Sequence, residues 1–366
     1  MLSGLLSCLS QAAFAPGHTH AWPLWLNAAA AESNAVLWPL LLACIPAFAI
    51  CLDRIVGEPD ARWHPVVWMG HWLLWLGRRI APPVATEAAT ADAPDWRAFW
   101  LGAAAWLAGA ALSAGAAWAL QAWLLAQPAW LAAVALALCL KTMLSWAMLH
   151  DEVLAVEAAL RHDGLPAGRS RLAWLVSRDT SQLATGEVRE GAIESLAENL
   201  NDSVIAPLMW FVLLGLPGAA LYRFANTADA MWGYRGAREL QGQLRQWAWA
   251  GKWAARADDA LSWLPARLTA ALLWLAAGPL ALRHWQALAA LPAQARQTPS
   301  PNSGWPMATA ALLLGVRLGK PGVYLLNPQG RPPDAADLLR ACALGSRATA
   351  AAALLGSFAL MALIAT

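Results

Sequence analysis

Apolar residues run in blocks along this chain, and polar residues gather in the gaps between them. Leu37 to Leu52 is the first block long enough to read as a membrane span. A polar connector, DRIVGEPDARWHP, follows it. Residues 66–77 are apolar again. As a helix they reach only about 18 Å, short of a hydrocarbon core of about 30 Å, so this piece is expected at the interface. Residues 81–97 are rich in Pro, Ala and acids and read as a loose linker. Residues 98–147 are apolar throughout, with Gln121, Gln127 and Pro128 near the middle. They predict two spans joined by a tight turn.

Between 148 and 202 charges crowd in and the pattern becomes that of amphipathic helices. DEVLAVEAALRHDG predicts one helix ending near Gly164. TGEVREGAIESLAENLND predicts another, with Thr185 as N-cap and Glu187 and Glu190 suiting the positive helix start. Residues 203–225 are apolar but broken by GLPG at 215–218. Each half makes only about 15–18 Å of helix. A straight, Pro-kinked span is one outcome, and a re-entrant hairpin lining a protein-covered cavity is the other. The hairpin is preferred, and it brings the polar stretches 194–202 and 226–235 out on one side. Residues 226–266 are polar and Trp-rich. RLTAALLWLAAGPLALR (267–283) is a further candidate span, TPSPNSGWP (298–306) a turn cluster, and MATAALLLGVRLG a short apolar helix. RATAAAALLGSFALMALIAT closes the chain as a last span. No period of 20–50 residues stands out, so a solenoid is not expected.

Composition agrees with the pattern. Only 13% of the 366 residues are charged and 59% are hydrophobic, whereas soluble domains are about a quarter charged. The 24 Trp suit a membrane–water boundary. The expected fold is all-α: a polytopic integral membrane protein with several transmembrane helices, a re-entrant or broken helix near 203–225, and amphipathic cytoplasmic helices. Residues 1–35 read as a variable N-terminal extension, and 36–366 as a single membrane-embedded domain with a polar helical insert at about 148–202. MLSGLLSCLSQAAFA lacks the basic start of a secretory signal. Arg54 and Arg62 are the first cations and follow the first span. The positive-inside rule then puts the N-terminus outside and Asp53 in the cytoplasm. A net charge of +2 with no Lys/Arg-rich run argues against nucleic acid. Cys8, Cys44, Cys51, Cys139 and Cys342 form no CxxC pair and are expected as small buried hydrophobes.

The chemistry-bearing residues cluster. On a helix over 193–204, Glu194, Glu198, Asn201 and Asp202 share one face, and Ile193, Leu196, Ala197, Leu200 and Val204 take the other. Such a stripe is either a Mg²⁺ or ammonium site or a solvated helix face. Asn199 and Asn201, and the adjoining apolar run, weigh against plain solvation. SRDTSQL offers Arg178, Asp179, Thr180 and Ser181, which suits phosphate or carboxylate recognition, or a helix cap with a local ion pair. NTADAMWGYR sets Asn226, Asp229 and Gly233 on one face beside Tyr234 and Arg235. ARADDALSWLPAR supplies Arg256, Asp258, Asp259 and Arg267, where the acids can hold metal or pair with Arg. The early connector adds Asp53, Arg54, Asp60 and His64, and a His before Pro more readily caps or packs than ligates. No GxSxG or HExxH occurs, and GVRLGKPG departs from a P-loop in glycine spacing and in Pro321. An anionic or phosphorylated ligand with Mg²⁺ fits this inventory better than nucleophilic or zinc catalysis.

Taken in order, LDRIVGEPDARWHPV, SRDTSQL, AIESLAENLNDSVIAPL, GLPGAALYRFANTADAMWGYR, RADDALSWLPARLTA and SPNSGWPMA with LGVRLGKPGVY closely resemble the CobD/CbiB family of cobalamin biosynthesis. The resemblance covers about residues 40–330. It implies adenosylcobinamide-phosphate synthase activity in a multi-pass protein of the cytoplasmic (inner) membrane. ATP would drive amide formation between adenosylcobyric acid and aminopropanol or its phosphate, with Mg²⁺ and Arg neutralising the transferring phosphoryl group. The implied partners are those substrates, the lipid bilayer and other late cobalamin-assembly enzymes. On the family's motif positions, Glu194, Glu198 and Asp202 are expected to be catalytic, with Mg²⁺ at Asp202, Asp229, Asp258 and Asp259. Substrate and phosphate binding is expected at Asp53, His64, Arg178, Asp179, Thr180, Asn199, Asn226, Tyr234, Arg235, Arg267 and Asn302. All these blocks are expected to face the cytoplasm. A non-enzymatic transporter or corrinoid-binding scaffold is the competing reading. It calls for acids at mid-membrane, whereas here they sit at segment ends.

Overall fold

A computed structural model describes residues 37–84, 93–279, 281 and 285–365. The expected N-terminal extension, with Cys8, lies outside them, as do residues 85–92 of the expected linker. Helices α1 (Leu37–Ala43) and α2 (Ile45–Val56) form the first apolar block. Pro46 has no N–H to return to Leu42, so the expected first span is two short pieces. Helix α3 (Pro65–Ile80) starts at His64, whose Nδ1 accepts the Val66 N–H at 3.2 Å. At 16 residues it is longer than its apolar run suggested, because Arg78 and Arg79 extend it.

Helices α4 (Trp96–Leu125) and α5 (Ala129–Lys141) turn back at 126–128, as the sequence predicted. Exposed Trp96 and Trp100 mark one end of α4 and exposed Trp118 and Trp123 the other. The two pairs lie about 30 Å apart along the axis, which is the spacing of aromatic belts in a bilayer. Next come α6 (Trp146–His162), α7 (Leu165–Leu172) and α8 (Thr185–Leu200). Thr185 is the first helical residue of α8 rather than its N-cap. That place is held by Ala184, whose N–H donates to the Glu187 carboxylate at 2.7 Å. Helix α8 runs through a π-helical turn, Asn201–Ile205, into α9 (Ala206–Leu214).

Gly215, at φ +71°, ends α9, and α10 (Leu216–Trp232) follows at once. The chain reverses here so tightly that a Cβ on Gly218 would collide with the Trp210 carbonyl oxygen. Tyr222 and Arg223 consequently meet Asp202, twenty residues earlier. The hairpin expected at 203–225 is therefore formed, and it returns the polar ends to one side. Gln121, fully buried in apolar α4, explains how the reversal is held. Its Oε1 accepts the Leu216 N–H, an otherwise orphaned donor at the start of α10, at 2.7 Å. Replacing it with Leu strands that donor in an apolar interior. Gln121→Leu is expected to cost about 1–3 kcal/mol, seen as a lowered melting temperature in detergent.

A hairpin of β1 (Ala237–Leu240) and β2 (Gln243–Gln246) leads to α11 (Lys252–Leu261) and α12 (Trp263–Ala277), bent by 44° at Ser262. The expected span at 267–283 is thus shorter and begins earlier. Short α13 (Leu291–Ala295), α14 (Gly304–Leu314) and the hairpin β3 (Leu318–Lys320) with β4 (Tyr324–Leu326) precede α15 (Ala335–Ala365). The last helix begins twelve residues before its apolar stretch. Apart from the two small hairpins the described structure is helical, as expected. By length and composition, α4, the pair α5–α6 and α15 can each cross a membrane, and α11–α12 can serve as a fourth span. Among the described residues all cysteines are free; Cys342 is buried, but Cys44 and Cys51 are exposed rather than packed inside.

Candidate functional site

The acid stripe of α8 is not a solvated face. Glu190 and Glu194 are 4% and 5% exposed. Glu190 pairs with Arg317 at 3.2 Å, and Glu194 accepts from Arg178 Nη2 at 3.0 Å. With Glu198, Ser195, Lys320 and Tyr324, this pair lines a recess of about 150 Å³. Tyr324 lines the same recess, its hydroxyl directed at Met307 Sδ at 3.8 Å. Burial pushes the Glu194 carboxyl up despite Arg178. Burial, then the charges of Asp202 and Glu194, push Glu198 up to about 7.

The raised Glu198 carboxyl makes stability depend on pH with a definite sign. Between its ordinary 4.5 and about 7, Glu198 holds a proton in the folded state that the unfolded chain has released. Raising the pH through that window therefore removes stability, at a rate of no more than about 1.4 kcal/mol per pH unit. Glu198→Gln should lessen the fall in melting temperature between about pH 5 and pH 7.

One turn beyond, the π-helical segment presents Asp202. Its Oδ1 accepts from Asn201 Nδ2 at 2.7 Å and from the Tyr222 hydroxyl at 3.4 Å. Tyr222 also hydrogen-bonds Ser262 Oγ at 3.0 Å. Arg223 donates to the Asp202 carbonyl at 3.2 Å and to Ser203 Oγ at 3.1 Å, which locks the turn. π-Helical turns recur at functional sites because they swing a side chain off the α-helical face. Asp258 lies within electrostatic reach of Asp202 and Asp229. Asp229 lies within electrostatic reach of Asp202 and Asp259. Asp258 Oδ1 is buried without a hydrogen-bond partner. Asp202 of the π-helical turn, Asp229 of α10, and Asp258 and Asp259 of α11 thus form one wall with Glu198.

On the far side of the wall, Asp259, Tyr234 and Arg235 open into a cleft of about 1220 Å³. Gly251 sets its geometry: a Cβ there would overlap the Trp232 carbonyl oxygen, so only glycine lets α11 start against the end of α10. Arg267 is fixed in the cleft by Asn302 Oδ1 at 2.7 Å and by the Trp263 carbonyl at 2.8 Å.

The other expected site residues are placed elsewhere. Asp53 is buried, and its Oδ2 caps α6 by accepting the Ala147 N–H at 2.7 Å, with Lys141 Nζ 3.7 Å from Oδ1. His64 caps α3 and touches Glu58 at 3.2 Å. Asp179 accepts from the N–H and hydroxyl of Ser181, closing its own turn. Buried Thr180 donates to the Arg169 carbonyl at 3.0 Å. Asn199 donates back to Ser195. Asn302 braces Arg267 and the Asp259 carbonyl from below the cleft. None of these six residues lines the small recess or the large cleft. Sequence reasoning missed Lys320, Tyr324, Tyr222, Arg223, Lys252 and Arg296. Lys320 and Tyr324 lie in LGVRLGKPGVY, a family block and a failed P-loop in which neither residue is singled out, and Tyr222 and Arg223 lie in an apolar run. A charged residue inside that run was the available signal.

These features define a polytopic membrane protein with a carboxylate wall between a small mixed-charge recess and a large cationic cleft. The family described as CobD/Cbib protein matches residues 46–345. The chain is 42% identical to cobalamin biosynthesis protein CobD of Chromobacterium violaceum over 287 residues, covering 78% of this chain and 84% of that protein. It is 40% identical to the protein of the same name from Stutzerimonas stutzeri over 286 residues, covering 78% and 84%. No solved structure matches the chain. The chain belongs to the CobD/CbiB family of cobalamin biosynthesis proteins.

Proposed function

We propose that the protein is an ATP-dependent ligase that joins aminopropanol, or its phosphate, to adenosylcobyric acid. The observation that carries this reading is the single acid wall, bordered by a small recess holding Arg178 and Lys320 and by a large cationic cleft. A carboxylate and an ammonium do not condense in water. The carboxylate must be activated, and the oxygen it loses leaves on the phosphate released from ATP. The small recess suits the amine substrate, with Arg178 and Lys320 facing an anionic group and Glu198 taking the ammonium proton. Glu194, engaged by Arg178, orients that guanidinium rather than moving the proton. Arg235 faces the same reaction from the cleft.

Mg²⁺ fits the wall. Among the described residues no three His, Cys, Asp or Glu side chains form a ready metal cage. Mg²⁺ with a nucleotide uses only one or two carboxylates, the remaining positions going to phosphate and water. The unpartnered Asp258 Oδ1, facing Asp202 and Asp229, has the chemistry for that role. Bound there, Mg²⁺ would neutralise charge on the phosphoryl group. Asp259 stands at the cleft edge beside them.

The test is product formation. Purified protein, adenosylcobyric acid and MgATP are incubated with aminopropanol or its phosphate, and the product is weighed by mass spectrometry. An ATP-dependent amide adduct is expected, and no adduct with either amine defeats the reading. The rate should rise with pH through about 7 as Glu198 loses its proton. We also propose that wall and recesses face the cytoplasm of the inner membrane. Cysteines introduced at Ser177 and Arg235 should label from the same, cytoplasmic, side.

A further inference from the structure

Most cations of the large cleft were not among the residues the sequence singled out for binding. Lys252 and Arg296 join Arg235, Arg256 and Arg267 there. Asp259 is the one acid among the described lining residues, which leaves an excess of four positive charges. Two of the cations rest on aromatic faces. Lys252 Nζ is 3.5 Å from the Trp249 ring centre, and the Arg267 guanidinium lies 4.5 Å and 4.8 Å from those of Trp263 and Trp305. Concentrating like charge in one concavity costs folding energy through self-repulsion, and a bound polyanion removes that cost.

We propose that this cleft is the nucleotide site, with the triphosphate on the cations and the base against the Trp walls. This rests on the ligase reading above and assigns one of its substrates to a place. Charge decides between candidates. A nucleoside triphosphate carries about four negative charges near neutral pH, and about two as its Mg²⁺ complex, so it answers the excess in the cleft better than the corrinoid acid, which offers one reactive carboxylate. Position agrees. Arg235 and Asp259 stand at the end of the cleft nearest Asp229, so the γ-phosphate reaches the acid wall while the base points away from it. Arg267 is held by three hydrogen bonds before any ligand arrives, so little side-chain entropy is lost on binding. A volume of about 1220 Å³ also leaves room for part of a second substrate.

The test is equilibrium binding to the full chain in detergent, read by displacement of a fluorescent trinitrophenyl-ATP. MgATP and magnesium tripolyphosphate should both displace it, and binding should weaken as salt is raised. Arg256 is exposed on α11, so Arg256→Glu is a surface change that should fold. It should weaken MgATP at least about tenfold, as should Lys252→Ala. Binding of cobinamide, read by its absorbance, should stay unchanged in both variants. Unaltered MgATP affinity in both variants overturns the assignment, as does loss of cobinamide binding with MgATP retained, which would make the cleft the corrinoid site. Nucleotide binding without any amide product would instead defeat the ligase reading and leave the cleft assignment standing.

Discussion

Asp202→Asn should abolish amide formation, by about a thousandfold or more, while leaving the protein folded. The size follows from where the charge sits. Removing one preorganised electrostatic group from a desolvated site typically costs two to three orders of magnitude, and Asp202 belongs to a wall whose members act together. The fold is expected to survive, or gain. Asn keeps an oxygen for Asn201 and Tyr222, and loss of the charge relieves repulsion with Asp258. Thermal unfolding of the variant should therefore occur no lower than in the parent, with stability rising as activity is lost. A low melting temperature would mark Asp202 as a structural support, and retained turnover would remove it from the site.

The second large effect concerns stability. Arg178→Ala leaves the Glu194 carboxylate buried with its guanidinium partner gone. Breaking a buried pair from one side costs about 3–5 kcal/mol, whereas removing both charges is often nearly neutral. Arg178→Met combined with Glu194→Leu should therefore melt close to the parent, and Arg178→Ala alone far below it. The loss should be larger at pH 8 than at pH 5. Burial already raises the Glu194 carboxyl, and without Arg178 it accepts a proton more readily in acid. A single-variant loss that equals the double-variant loss at both pH values would show that Arg178 matters for packing alone. The double variant is also expected to lose turnover, since the small recess then holds neither Arg178 nor Glu194.

Much of this arrangement was legible in the sequence because it is written in local pattern. The GLPG break implied a reversal, and the reversal implied that the polar stretches 194–202 and 226–235 would emerge on one side. The apolar blocks implied α4, α5 and the last helix. What could not be read was which polar atom each motif residue touches. Asp53 and Thr180 both lie in motif blocks, Thr180 beside Arg178, yet one caps a helix ninety-four residues away and the other secures a loop. Sequence spacing carries no record of such long-range partners. Gln121 misled for the same reason. It looked like the approach to a turn, and it is the acceptor that holds a different turn closed. Helix ends were also displaced where charged residues extended an apolar run, as Arg78 and Arg79 extend α3.

The π-helical turn at Asn201–Ile205 has a bearing on how the helix could change over time. A turn of this kind holds one residue more than an α-helical turn, so upstream and downstream faces keep independent registers. Above it, α8 answers to Arg178 and the β3–β4 hairpin; below it, α9 answers to α10. Loss of a single residue between 201 and 205 would couple the two registers. The apolar half could then seat itself only by rotating Asp202 about 100° relative to Glu198. A substitution is felt at one position here, but a one-residue deletion would reset the entire wall.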